Sequence, residues 1–202
     1  MMVRSGIYRI VPERDLAKLD DRVLRLPEWR RRKALSYQRP IDRLQCALAY
    51  DLLEALLLDA FGLNLRDHEI VYDEMGKPSL PAYPDCHFSL GHCPAGVIAV
   101  VADCPVGCDI EEIRRPYEEN CREIEEYCFS AAERKLVAES KDPAMEFTRV
   151  WTLKEALFKL DNRLQLESLD TTATTARISV SAGVDYVASV VLNGYGIGQY
   201  GT

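Results

Sequence analysis

The chain has 202 residues, 48% apolar and 28% charged, with a formal charge of −7, which is enough to bury a real core as one large domain or two small lobes. Residues 1–50 carry 12 Lys/Arg against 6 Asp/Glu, and the remainder carries 13 against 26. This split of +6 and −13 argues against a nucleic-acid binder using its whole surface, and it directs any anion site to the N-terminal part. In chain order, Gly6 to Val11 reads as an opening strand, and Pro40 to Phe61 has helical period and ends near Gly62. Residues 68–73 alternate weakly as a strand, Gly76-Lys77-Pro78 is a turn, and a proline-rich loop runs to Pro84. Short strands are predicted at His87–Leu90 and Val97–Ala102, followed by a glycine-led strand over 107–111. After Pro116 the pattern is helical to about Leu160, interrupted at Ser130 and at Asp142-Pro143. Ser130 and Glu133 form a capping-box signature there. Thr171 to Thr175 reads as a loop, with closing strands at Ala176–Val180 and Tyr186–Leu192. The order predicts an α+β fold of two similar lobes meeting near residue 106, here taken as 1–106 and 107–202.

The most apolar candidate for a membrane span, Leu52 to Leu63, is broken by Glu54, Asp59 and Gly62. The start shows no apolar run of the kind that marks a secretory signal, so the cytoplasm is the expected location. Seven cysteines with no C-x-x-C pair read as reduced, small apolar side chains, in preference to a zinc site or a disulfide framework.

Two stretches carry the chemistry. Val106-Gly107-Cys108-Asp109-Ile110-Glu111 places two carboxylates two apart on a strand, so they share a side. Cys108 and Ile110 on the other side can pack, and Gly107 permits a close backbone approach. In the helix that begins the second stretch at Trp151, Trp151, Glu155 and Lys159 fall within an arc of about 80°. Leu153, Ala156, Leu157 and Leu160 lie opposite. A plain surface Glu155–Lys159 pair, worth roughly 0.3–0.5 kcal/mol, is the competing reading of that helix. Taken together, Asp109, Glu111, Glu155 and Lys159 are what a magnesium site for phosphate chemistry needs, since Mg²⁺ takes a few carboxylates and fills its shell with water and phosphate. The basic run Arg30-Arg31-Arg32-Lys33, a lysine on the turn at Lys77 and His92 after a strand each have an ordinary surface reading when taken singly.

With these motifs in order, the chain resembles the 4′-phosphopantetheinyl transferases, and among them the two-lobed type that activates surfactin synthetase. The resemblance rests on Gly76-Lys77-Pro78 with Phe88-Ser89-Leu90-Gly91-His92, on Val106 to Glu111, and on Phe129-Ser130-Ala131-Ala132-Glu133 followed by Trp151-Thr152-Leu153-Lys154-Glu155-Ala156. It covers about residues 6–165. It implies a pseudo-dimer of two α+β lobes with the active site in the cleft between them. It also implies transfer of the 4′-phosphopantetheine arm of coenzyme A to a serine of a carrier protein, releasing adenosine 3′,5′-bisphosphate. By the same resemblance, Asp109, Glu111 and Glu155 are the metal ligands, for Mg²⁺ or Mn²⁺. Lys159 contacts the diphosphate, His92 (with Gly91 beside it) and the pair Arg30 and Lys33 contact the 3′-phosphate side, and Lys77 lies along the adenosine. Glu155 is the first candidate for the base and Lys154 the second. Glu133 matches a family acid, and the helix cap is its competing role.

Two positions depart from the pattern. Gly91 stands where many relatives have serine, and Cys46 occupies approximately the position of the family's phosphate-contacting threonine, where it is a weaker hydrogen-bonder. The C-terminus is also short, so a trimmed second lobe is expected. The length favours a monomer over the trimeric single-lobe relatives. The partner is expected to be a small acidic acyl or peptidyl carrier protein docking through a mostly apolar patch. Two other readings are a coenzyme A-binding protein without transferase activity and a metal-dependent nucleotide phosphohydrolase.

Overall fold

The structure, a computed structural model, describes residues 1–113, 119–174 and 176–192. The chain divides into two compact units, Met1–Asp103 and Cys104–Thr202. The first unit opens with strand β1 (Val3–Arg9) and three short helices, α1 (Pro12–Leu16), α2 (Leu19–Arg25) and α3 (Glu28–Ser36). Helix α4 (Pro40–Phe61) follows, then the small strands β2 (Val71–Tyr72) and β3 (Pro78–Ser79), and finally β4 (His87–Cys93) and β5 (Gly96–Ala102). Proline in the first turn of α4 loses no hydrogen bond, and Gly62 at φ 66 ends the helix, with Gly62 N–H donating to Leu58 and Leu63 N–H to Leu57. The sheet order is β1-β5-β4, antiparallel throughout. Helix α4 lays Leu44, Leu48, Leu53 and Leu57 into a core shared with Val97, Ala99 and Val101 of β5.

Strand β4 runs to Cys93, past the expected end at Leu90, and two further boundaries in this unit differ from the sequence expectation. The opening strand lies three residues earlier, because Arg9 pairs with Gly96 at the very start of β5 and Pro12 begins a helix. The strand expected over 68–73 shrinks to Val71–Tyr72, because its partner is Pro78–Ser79 and proline has no N–H to extend the ladder. Helices α1 to α3 were not foreseen. They are tied down partly by Asp15, which is buried and accepts from Tyr8 Oη (2.8 Å), the Val11 amide (2.8 Å) and the Arg14 guanidinium. That guanidinium holds the Asp15 carboxyl well below the usual carboxylate range, against the opposing cost of burial.

The second unit runs β6 (Val106–Glu112), α5 (Glu119–Cys128), α6 (Ala131–Glu139), α7 (Pro143–Leu160), β7 (Arg177–Ala182) and β8 (Tyr186–Leu192). Its sheet has the order β6-β8-β7, also antiparallel. Taken separately, each unit arranges its three main strands as first, third, second, with helices between the first and second. Helix α7 covers β6 and β8. Among the described residues, no helix is long and apolar enough to cross a membrane.

Candidate active site

Gly107 determines how close α7 comes to β6. A Cβ built on it would lie 2.6 Å from the Leu160 amide nitrogen and closer still to the Ala156 carbonyl oxygen, so the helix backbone occupies the space of the missing side chain. Alternation along the strand puts Asp109 and Glu111 on that same, helix-facing side. Cys108 and Ile110, on the other side, are fully buried. The apolar stripe of α7, Leu153, Ala156, Leu157 and Leu160, packs with Leu169 and Val191 as its period requires. Beside it, Thr152 Oγ1 and Ser189 Oγ share a hydrogen bond at 2.8 Å, and Ser189 is the ladder partner of Asp109.

Over this strand face, Lys159 Nζ donates to Asp109 Oδ1 at 2.6 Å. Asp109 is 5% exposed, whereas the Lys159 side chain keeps 30% of its surface. Burial works against the Lys159 charge, but Asp109, with Cys108 and Glu155, outweighs it and raises the ammonium's pKa. Glu155 lies one turn back on α7 and is half-buried. Burial first, and then the charge of Asp109, push its carboxyl up, while Lys159 pulls it down. Glu111 lies at a small cavity that it lines with Glu112, Ile124, Phe147, Thr148 and Trp151.

The expected metal acids are thus distributed over one strand face and the helix packed on it. Among the described residues, no three His, Cys, Asp or Glu side chains form a closed cluster able to hold a metal ion by themselves. The donor set fits a hard cation that completes its shell elsewhere: the oxygens are carboxylate, and Asp109 and Glu155 are near enough to repel.

Lys154 lies on another side of α7. It is fully buried, with Nζ 3.0 Å from Glu133 Oε2, 3.3 Å from the Leu166 carbonyl oxygen, and also donating to the Leu169 carbonyl. An ammonium has three protons, and all three are committed here, which disfavours Lys154 as a base. Glu133 caps α6: Ser130 N–H donates to its Oε2 (2.7 Å) and Glu133 N–H to Ser130 Oγ (3.2 Å). Its other oxygen accepts from the Thr171 amide at 2.7 Å. The capping role read from the sequence is present, and the ion pair with Lys154 adds to it.

In the first unit, Arg30 and Lys33 gather near Cys46. Arg30 is 4% exposed, donates Nη2 to the Cys46 carbonyl at 3.0 Å and lies over the Tyr50 ring. Burial pushes the Cys46 thiol up, against the pull of Arg30 and Lys33. Lys33 Nζ reaches Tyr72 Oη at 2.9 Å and lies 4.3 Å from its ring centroid. Lys77 follows Gly76 (φ 84) in the β2–β3 turn, and on β4 Gly91 is buried and His92 exposed. Burial, then the charge of Lys77, lower the pKa of His87 at the start of β4.

Sequence reasoning missed three of these partners: Asp109 for Lys159, Glu133 for Lys154 and Tyr72 for Lys33. Helical spacing offered only Glu155 as a protein partner for Lys159, as the competing surface reading. The available signal to the contrary was Gly107, which brings the strand within reach of the helix.

The second unit thus brings two carboxylates and an ammonium together where α7 packs on β6. The sequence model of the 4′-phosphopantetheinyl transferase superfamily matches residues 105–188, which contain that site. The 4′-phosphopantetheinyl transferase Sfp of Bacillus subtilis (strain 168) is 29% identical over 162 residues, 78% of this chain and 70% of its own length. The 4′-phosphopantetheinyl transferase psf-1 of Bacillus pumilus is 31% identical over 125 residues, 61% of this chain and 52% of its own. AcpT of Salmonella typhimurium, also a 4′-phosphopantetheinyl transferase, is 36% identical over 118 residues, 56% of this chain and 60% of its own. The match to the family's model lies within the second unit, and the similarity to Sfp extends over most of the chain.

Proposed function

We propose that the protein transfers the 4′-phosphopantetheine arm of coenzyme A to a serine of an apo carrier protein and releases adenosine 3′,5′-bisphosphate. The observation that carries this is the meeting of Asp109 and Glu155 with Lys159 across the α7–β6 contact that Gly107 permits. Asp109, Glu111 and Glu155 would hold a divalent cation, Mg²⁺ or Mn²⁺. Such an ion, when bound, supplies neutralisation of the diphosphate charge. Glu155 takes the serine proton, and its raised carboxyl is better matched to that task near neutral pH than an ordinary glutamate. The serine oxygen bonds to the β-phosphorus, the bond to the nucleotide breaks, and the electron pair leaves on the bisphosphate. Lys159 steadies the diphosphate oxygens. On the first unit, Arg30, Lys33, Lys77 and His92 serve the adenosine and its 3′-phosphate.

The test is to incubate the protein with coenzyme A, Mg²⁺ and a panel of apo carrier proteins, and to follow carrier mass. A phosphopantetheine addition that is lost in Asp109→Ala and Glu155→Ala supports the proposal. Coenzyme A binding with no addition to any carrier would favour a binding protein without transferase activity.

A further inference from the structure

We propose that Lys159 is the site's built-in cation: its ammonium holds the place on Asp109 that a divalent metal would take, so metal and coenzyme A bind as a linked pair. This rests on the reading of Asp109 and Glu155 as metal ligands. At 2.6 Å the Lys159–Asp109 contact is a charge-assisted hydrogen bond on a buried carboxylate, and such bonds are among the stronger ones in proteins. Lys159 also feels Glu155, so two negative groups already share one positive group. A divalent ion approaching Asp109 meets this ammonium as a like charge and gains the carboxylate only if Lys159 swings away. The ammonium has room to do so, because its side chain keeps 30% of its surface exposed. Once displaced it needs another anion, and a diphosphate supplies one. Coenzyme A therefore draws Lys159 off Asp109 and opens the carboxylate to metal, and by linkage the metal strengthens coenzyme A binding by the same factor. Free metal alone is held weakly, so the site loads only when its substrate is present.

The test is Mn²⁺ binding to the full chain, read from the electron paramagnetic resonance signal of free Mn²⁺, with and without coenzyme A. The wild type is expected to bind Mn²⁺ about tenfold more tightly with coenzyme A than without. Lys159→Met should bind Mn²⁺ about tenfold more tightly than the wild type in the absence of coenzyme A, and its gain on adding coenzyme A should shrink. Lys159→Arg should keep the wild-type pattern. Unchanged or weaker Mn²⁺ binding by folded Lys159→Met overturns the inference. If that variant does not fold, the ammonium resonance of Lys159 in the wild type decides: a shift on adding Mg²⁺ with coenzyme A supports displacement, and no shift overturns it. Asp109→Asn separates the two levels. Mn²⁺ affinity indifferent to Asp109→Asn sinks the metal-ligand reading itself, whereas loss of Mn²⁺ in Asp109→Asn without tightening in Lys159→Met sinks only the role of Lys159.

Discussion

Lys154 and Glu133 form an ion pair at 3.0 Å with neither side chain exposed to solvent, and it joins α7 to the capped start of α6. Burying two charges is costly, and here the cost is offset by complete hydrogen bonding: Glu133 accepts from Ser130 and Thr171, and Lys154 donates to two carbonyls. Removing one partner strands the other. Lys154→Met should therefore destabilise the protein by roughly 3–5 kcal/mol in chemical denaturation, and adding Glu133→Gln should recover much of that loss. If Lys154 were instead the base, the double variant would be stable and inactive; the expected result is transfer activity that returns with stability.

Gly107→Ala should be among the most damaging single-atom additions to the second unit. The new methyl meets helix backbone at Ala156 and Leu160, which no rotamer change can relieve. A loss of about 3 kcal/mol is expected from overpacking. Because α7 must shift, Lys159 and Glu155 move relative to Asp109, so transfer should fall as well. Gly62→Ala is the contrasting control. Nothing lies near its Cβ, and only the left-handed φ is strained. It should cost about 1 kcal/mol and leave transfer unchanged.

The elements that position this site were readable because their signals are local. Pro40 and Gly62 bracket α4, Ser130 with Glu133 marks the start of α6, and the spacing of Leu153, Ala156, Leu157 and Leu160 identifies the buried face of α7. What was not readable depends on pairing between distant elements. Lys154 and Glu155 are neighbours in sequence, yet one is sealed against Glu133 and the other lies near Asp109. Their difference comes from which elements pack on each side of α7, and a single helix pattern does not contain that. Lys33 was legible as part of a basic cluster, but its contact with Tyr72 depends on where the weak strand expected over 68–73 pairs, and its partner Pro78–Ser79 read only as turn and loop.

Tyr50 offers a test of the first unit's core. Its ring packs edge-on against Trp29, and its buried hydroxyl has no hydrogen-bond partner among the described residues. Burial, with Glu54 nearby, pushes the phenol up to about 12. An acid that keeps its proton longer in the folded state costs stability as pH rises from its unfolded value of 10.0 towards that figure, since the unfolded chain ionises first. Tyr50→Phe should thus be neutral or stabilising by about 1 kcal/mol at neutral pH, and should flatten the loss of stability above pH 10.0. A marked destabilisation would show that the hydroxyl has a partner after all.

Glu155 should show that function is held at some expense to stability. Its carboxyl is raised by burial and by Asp109, so the folded chain keeps this proton after the unfolded chain has lost it. In metal-free protein, stability from this group is therefore full below the unfolded value of 4.5 and declines as pH rises through the folded value. Glu155→Gln removes the negative charge from that balance. The metal-free variant should melt at a higher temperature than the wild type at neutral pH, and the difference should vanish in acid. Transfer by the same variant should fall about 100- to 1,000-fold, because a proton acceptor and a metal oxygen are lost together. A melting point below wild type at neutral pH would mean that Lys159 stabilises the Glu155 charge more than Asp109 and burial disfavour it.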